Sequence, residues 1–148
     1  MTYSDTTPAV HRATRADMPV LTKLCHAFWD TYFEEVPYDP PHFLDYVERN
    51  LDEENLFVAI LGEADGMLMG CVVPTIFSPR PMVREIVWYT EPHARGRGMA
   101  LYRAFDRWAR ARGVGHVMCS LPWVEPAMEK LGYRMVEVSY FKTLAPAK

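Results

Sequence analysis

The chain has 148 residues, of which 49% are hydrophobic, 13% aromatic and 24% charged. That composition suits one globular domain spanning 1–148 and excludes a disordered or fibrous chain. Nineteen acidic and sixteen basic residues give a net charge of −3, so no general affinity for nucleic acid is expected. The charge is unevenly divided: residues 1–65 hold thirteen acids and four bases, residues 66–148 six acids and twelve bases. Cys25, Cys71 and Cys119 are widely spaced among apolar neighbours, with no CxxC pair, and read as reduced thiols of a cytoplasmic protein. The opening Met1–Asp5 has no basic start leading into an apolar stretch. The longest apolar run, Leu56–Leu61, is too short to span a bilayer, and no membrane association is expected.

Val10–Ala13 is a short candidate strand. Thr14 then caps a helix start with Asp17 three residues on, and Leu21, Leu24, Cys25, Phe28 and Tyr32 recur at helical spacing to about Glu34. After the proline-rich break at 36–41, Phe43, Leu44, Val47 and Leu51 share one face of a second helix. Leu56–Leu61 reads as a buried strand, 62–66 as a hairpin turn and Met67–Phe77 as the next strand, in which Pro74 demands an edge or a bulge. Val83–Thr90 is a third strand of this run. A helix over Met99–Arg112 ends at Gly113. Val117–Leu121, a short helix around Val124–Leu131, and an alternating strand over Tyr133–Leu144 complete the order β-α-α-β-β-β-α-β-α-β. Hairpin-linked strands followed by helix-linked ones predict an α/β (α+β) mixed sheet with helices on its faces.

The segment richest in chemistry is the strand, turn and helix from Arg84 to Ala100. Its turn, Arg95-Gly96-Arg97-Gly98, is an anion cradle: glycines permit close approach, amides at the helix start point outward, and the helix dipole and two guanidiniums add positive charge. It matches neither the P-loop nor the dinucleotide fingerprint. Arg95-x-x-Gly98-x-Ala100 resembles the Gln/Arg-x-x-Gly-x-Gly/Ala signature of the GNAT acyltransferase superfamily. Arg12-Ala13-Thr14-Arg15-Ala16-Asp17 and Glu129-Lys130-Leu131-Gly132-Tyr133-Arg134 are similar to its opening and its late helix-to-strand motif, so the resemblance spans nearly the whole chain. Within it, Glu85–Tyr89, Pro92, Arg95-Gly96 and Phe105–Ala109 are similar to small acetyltransferase-like proteins of phages and prophages.

The resemblance implies the GNAT fold, with strands splayed around a coenzyme A site, acetyl-CoA as cosubstrate, no metal, and transfer to a small-molecule or peptide amine. It implies that Arg95, Gly96, Arg97, Gly98, Met99 and Ala100 hold the pyrophosphate and that the backbone of Trp88, Tyr89 and Thr90 pairs with the pantetheine arm. Core packing is the alternative reading for the Trp88 and Tyr89 side chains. Glu85, placed by a period of two on the face of Val87 and Tyr89, is the candidate general base, a salt-bridged strand acid being the alternative. The family's usual acid is a tyrosine where this chain has Met128. Thiolate protonation then falls to water, Ser120 or Tyr133, unless the chain is a weak or inactive CoA-binding module. The arginines at 103, 107 and 110 read as a solvated face.

The helix connection Phe28–Asp39 interleaves four carboxylates with five aromatic rings. Trp29, Tyr32, Phe33 and Glu34 are the candidate contacts for a cationic acceptor, since carboxylates attract an ammonium and aromatic faces hold it. The same acids also serve as a solubilising helix end. A homodimer stays open.

Overall fold

The computed structural model describes residues 9–33, 37–122, 125–140, 142 and 144. β1 (Val10–Arg12) leads into a 3₁₀ turn over Arg15–Asp17, where the Thr14 amide donates to Asp17 Oδ2 at 2.8 Å. This is the predicted capping box, and α1 (Met18–Tyr32) follows with its proline in the first turn. Asp39 caps α2 (Pro40–Asn50) by accepting the His42 amide at 3.0 Å. Then come β2 (Leu56–Leu61), β3 (Gly66–Thr75), β4 (Ser78–Thr90), α3 (Met99–Ala111), β5 (His116–Met118) and the short α4 (Ala127–Lys130).

The sheet runs β1-β2-β3-β4-β5, antiparallel except for the parallel pair β4·β5. Each face carries its own core. Leu21, Leu24, Cys25 and Phe28 of α1 and Val47 of α2 pack on Met67, Met69, Val87 and Tyr89. On the other face Leu101, Phe105, Trp108 and Ala109 of α3 pack on Phe57, Ala59, Leu68 and Val83. Each buried side chain of this size contributes about 1.5–3 kcal/mol, which fixes both helix layers against the sheet. Gly70 sits under α3, where a Cβ would come within 2.4 Å of the Phe105 ring. Gly113 takes φ +66° just past the end of α3, the left-handed terminator expected there.

Two features depart from regular pairing. The β3·β4 register shifts between Val73 and Thr75, which is the bulge that Pro74 demanded, and again between Met69 and Gly70. Among the described residues of the predicted last strand, 133–140 form no helix or strand, and Met135, Val136, Val138 and Tyr140 are exposed. Alternation qualifies a segment to pair but does not by itself supply a partner, and the described residues 133–140 join no strand. The described part of the late helix begins at Ala127, and Val124 lies outside the described residues. No described helix is long and apolar enough to cross a membrane.

Candidate active site

β4 and β5 pair only over Met82–Arg84 and His116–Met118. β4 continues to Thr90 with β3 along one edge, and on its other edge residues 86–90 have no strand partner among the described residues. Glu85 stands where the two strands part. Its Oε2 accepts the Ser120 amide at 3.1 Å, and its side chain is almost wholly buried, the residue being 3% exposed. Burial raises its pKa to about 7, against the opposing pull of the Ser120 amide and Arg84.

The side of the sheet that Glu85 occupies differs from the expected one. Glu85 pairs with Gly70 and Val87 with Met69, leaving Ile86 as an extra residue in the strand. A Cβ on Gly70 would point at Phe105, so this pair faces α3, whereas Met69 and Val87 lie in the α1 core. The bulge therefore reverses the alternation, and Glu85 does not share a face with Val87 and Tyr89.

On the α3 side, Trp88 stacks on Tyr102 with ring centroids 5.7 Å apart, and Tyr102 donates to the Tyr133 hydroxyl at 3.3 Å. The Cys119 thiol lies in the same cluster as Tyr133, burial pushes its pKa up to about 12, and the charge of Glu85 adds to that rise. Burial raises the Tyr133 pKa as well. Ser120 contributes its amide to this cluster while its residue as a whole is exposed. Tyr89 packs into the α1 core beside Phe28 and Tyr32, and its hydroxyl donates to Glu91 at 3.3 Å. The side chains of Trp88 and Tyr89 are thus packing groups, and their backbone forms the unpaired edge.

From Thr90 the chain enters a 3₁₀ turn at Pro92–Ala94 and then the glycine turn, where Gly96 takes φ +92°. Among the described residues the amides of Gly96, Gly98 and Met99 have no acceptor, and Gly98 caps α3 with no side-chain bond. A Cβ on Gly98 would lie 2.6 Å from the Thr90 hydroxyl and 3.5 Å from the Trp88 indole nitrogen, so this wall of the turn has room for no side chain. Unused amides at a helix start beside a glycine that leaves their approach open fit a pyrophosphate. Met99 and Ala100 are partly buried and pack on the α3-side core. The two arginines are not equivalent. Arg97 bonds Asp65 Oδ2 at 2.9 Å, and Arg95 is exposed with no ion pair among the described residues.

Of the acceptor candidates, Trp29 stacks on Tyr38 at 4.4 Å, Phe33 packs on Phe28 and Trp29, and Tyr32 reaches toward Tyr89. Glu34 lies outside the described residues. Trp29, Pro37, Tyr38, Asp39, His42 and Phe43 line an open depression of about 500 Å³. Burial raises the Tyr38 pKa to about 12, and its buried hydroxyl has no hydrogen-bond partner among the described residues. Sequence reading missed the parts played by Asp65, Tyr102 and Cys119 and, in this lining, His42 and Phe43, whereas Trp29, Pro37, Tyr38 and Asp39 lie in the 28–39 connection it singles out. Only the aromatic density of 28–43 signalled any of them. Among the described residues no group of three or more His, Cys, Asp or Glu is arranged to hold a metal ion.

The sequence model of the Acetyltransferase (GNAT) family matches residues 21–133. Similar solved structures include an aminoglycoside acetyltransferase from an uncultured soil metagenomic sample, in complex with sisomicin. It is 17% identical, covers 95% of this chain and 99% of its own, and has a TM-score of 0.69. An acetyltransferase candidate from Arthrobacter sp. FB24 is 22% identical over 97% of this chain and 100% of its own, with a TM-score of 0.72. A transcriptional regulator from Bacillus halodurans C-125 reaches 0.72 at 17% identity, over 93% and 99%. At these identities the likeness is one of fold. No curated protein matches the sequence. A sheet edge that opens beside a turn of amides without acceptors among the described residues accords with the family match over most of the chain, which defines a protein of the acetyltransferase class. The chain belongs to the GNAT acetyltransferase family.

Proposed function

We propose that this protein transfers an acetyl group from acetyl-CoA to a primary amine of a small cationic acceptor by direct attack, within one acyltransferase domain over residues 1–148. The observation that carries the reading is the opening between β4 and β5, with the acceptor-free amides of the 96–99 turn at one end and Glu85 at the other. The turn amides and Arg95 bind the pyrophosphate, and the unpaired edge of Trp88, Tyr89 and Thr90 takes the pantetheine arm. Acetyl-CoA supplies the activated thioester.

Glu85 accepts the proton of the acceptor ammonium. A pKa near 7 lets it be ionised in part of the population at neutral pH and still hold the proton once taken. The amine nitrogen then forms a bond to the acyl carbon, the carbon–sulfur bond breaks, and the sulfur takes up a proton. Tyr133, tied to Tyr102 and in the same cluster as Cys119, or water delivers that proton in place of the tyrosine replaced by Met128, and Tyr133→Phe separates the two donors. Trp29 and its stacked partner Tyr38, with Asp39 beside them, hold the cationic end of the acceptor.

A second reading, a CoA-binding module without turnover, draws on Met128 and on the deep burial of Glu85. The test is release of CoA thiol from acetyl-CoA across polyamines, aminoglycosides, amino-acid amides and basic peptides. Amine-dependent release is expected. CoA binding without release by any amine would leave the module reading standing.

A further inference from the structure

Asp65, at the end of the β2–β3 hairpin, touches the glycine turn at three points far from it in sequence. Its carbonyl accepts the Glu91 amide at 2.8 Å, where the turn begins. Its Oδ1 meets His93 Nε2 at 2.8 Å, and its Oδ2 accepts from Arg97 Nη2 at 2.9 Å, two residues before α3 starts. Both carboxylate oxygens are thus committed to one turn, and these bonds hold the Asp65 carboxyl below the usual carboxylate range.

The hairpin is shaped around this contact. A Cβ on Gly62 would come within 2.5 Å of Asp65 Oδ2, and one on Gly66 within 2.6 Å of the Tyr89 carbonyl. Small residues on both sides let the carboxylate lie across the hairpin and let the hairpin close on the end of β4. Within the glycine turn itself the bonds are short-range backbone ones, Arg97 to Ala94 at 3.0 Å and Ala100 to Arg97 at 3.1 Å, and no side chain other than that of Asp65 bonds residues 95–99 among the described residues. Gly96 and Gly98 carry no side chain, and a glycine-rich loop left to itself samples many backbone states. A binding loop ordered before its ligand arrives loses less entropy on binding.

We propose that Asp65 is a positioning residue for the cofactor: by clasping Arg97 and His93 against the β2–β3 hairpin it presets the 95–99 turn for the pyrophosphate. Arg97 acts through this clasp rather than as a phosphate ligand, which leaves Arg95 as the side chain that meets the phosphates. The inference rests on the reading of the turn as the CoA site. It also sets two physical effects against each other. Removing a carboxylate beside an anion site relieves repulsion and tightens binding, whereas removing a clasp loosens the turn and weakens it.

The experiment is calorimetric titration of the full-length chain with CoA, for the parent, Asp65→Ala, Asp65→Asn, Arg97→Ala and the Asp65→Ala/Arg97→Ala double variant. A clasp predicts that Asp65→Ala weakens CoA binding about 5- to 10-fold, the scale of lost charge-assisted hydrogen bonds. Asp65→Asn, whose amide oxygen can still accept from Arg97 while its amide nitrogen can donate to a neutral His93, should recover part of that loss. Arg97→Ala should lose a similar factor, and the double variant no more than either single, because one shared interaction is removed once. Thermal unfolding checks that each variant folds, and Asp65→Asn carries the test if Asp65→Ala does not. Tighter CoA binding in both Asp65 variants, or a loss in Arg97→Ala that adds in full to that of Asp65→Ala, overturns the clasp alone. A parent chain that takes up no CoA overturns the reading of the turn and the clasp with it.

Discussion

The Glu85 carboxylate accepts the Ser120 amide at 3.1 Å just past the last pairing of β4 with β5, Arg84 with Met118. A buried acid thereby occupies the place where a further ladder hydrogen bond would otherwise continue the sheet. Its protonation state and the opening of the strands share one site.

Turnover should follow that acid. The wild-type rate is expected to rise with pH through about 7, the value to which burial brings Glu85, and then level off. Glu85→Gln keeps the shape and loses the base, so turnover should fall by about 10²–10⁴-fold with CoA affinity little changed. Steady-state rates between pH 5.5 and 9 with calorimetric CoA binding check this. An unaltered profile in the variant would return Glu85 to a purely structural role.

Stability should show the same group with a definite sign. The folded pKa lies above the value of 4.5 for an unperturbed glutamate. The native chain therefore holds a proton that the unfolded chain releases between pH 4.5 and 7. The contribution of this group is complete below 4.5 and is lost as pH rises through 7, on the order of 3 kcal/mol in all. Glu85→Gln removes this dependence, so its Tm should exceed that of wild type more at pH 8 than at pH 5.

Gly98→Val should block the cofactor, since its Cβ would meet the Thr90 hydroxyl at 2.6 Å. CoA affinity is expected to drop at least about 10-fold, the loss of one or two charge-assisted bonds, while the far-ultraviolet circular dichroism stays that of the parent. A variant that binds CoA as the parent does would move the site away from this turn.

Gly70→Ala tests packing apart from chemistry. The added methyl would press on Phe105 at 2.4 Å and on the Arg84 carbonyl at 3.1 Å, which should cost about 1–3 kcal/mol in urea unfolding. Phe105→Leu in the same chain should recover part of the loss, because the smaller side chain relieves the ring contact. A fully additive pair of losses would place the strain elsewhere.

Trp29→Ala should act on the acceptor alone. Loss of the ring stacked on Tyr38 is expected to raise the KM for a cationic amine several-fold, in line with about 0.5–2 kcal/mol for a cation on an aromatic face. The KM for acetyl-CoA should not move. Equal changes in both constants would show that Trp29 supports the fold and not the acceptor.

What could be read from the sequence follows from the range of the interactions involved. The six apolar residues of β2, the heptad-like face of α1 and the Gly/Arg turn before α3 are local patterns, and each formed where it was expected. Pro74 announced its bulge because proline has no ladder donor. The bulge at Ile86 had no such mark on its own strand. The register shift lies opposite, between Met69 and Gly70 on β3, so a period of two along β4 alone places Glu85 on the wrong face. Asp65 read as a turn residue because its partners lie 28 and 32 residues away, beyond any local pattern. Apolar alternation over Tyr133–Leu144 describes a strand's side chains, but alternation is a property of one segment and pairing needs two, and the described residues 133–140 join no strand.

The unpaired edge of β4 has a consequence outside catalysis. A row of open backbone donors and acceptors is a template on which an extended segment of another chain can lay itself down, the first step of edge-to-edge aggregation. The protein without ligand should accordingly be the less soluble form, and a bound pantetheine arm would act as a protective cover. Light scattering during gentle heating, with and without CoA, would show this as a delay in the onset of turbidity larger than the shift in Tm alone accounts for.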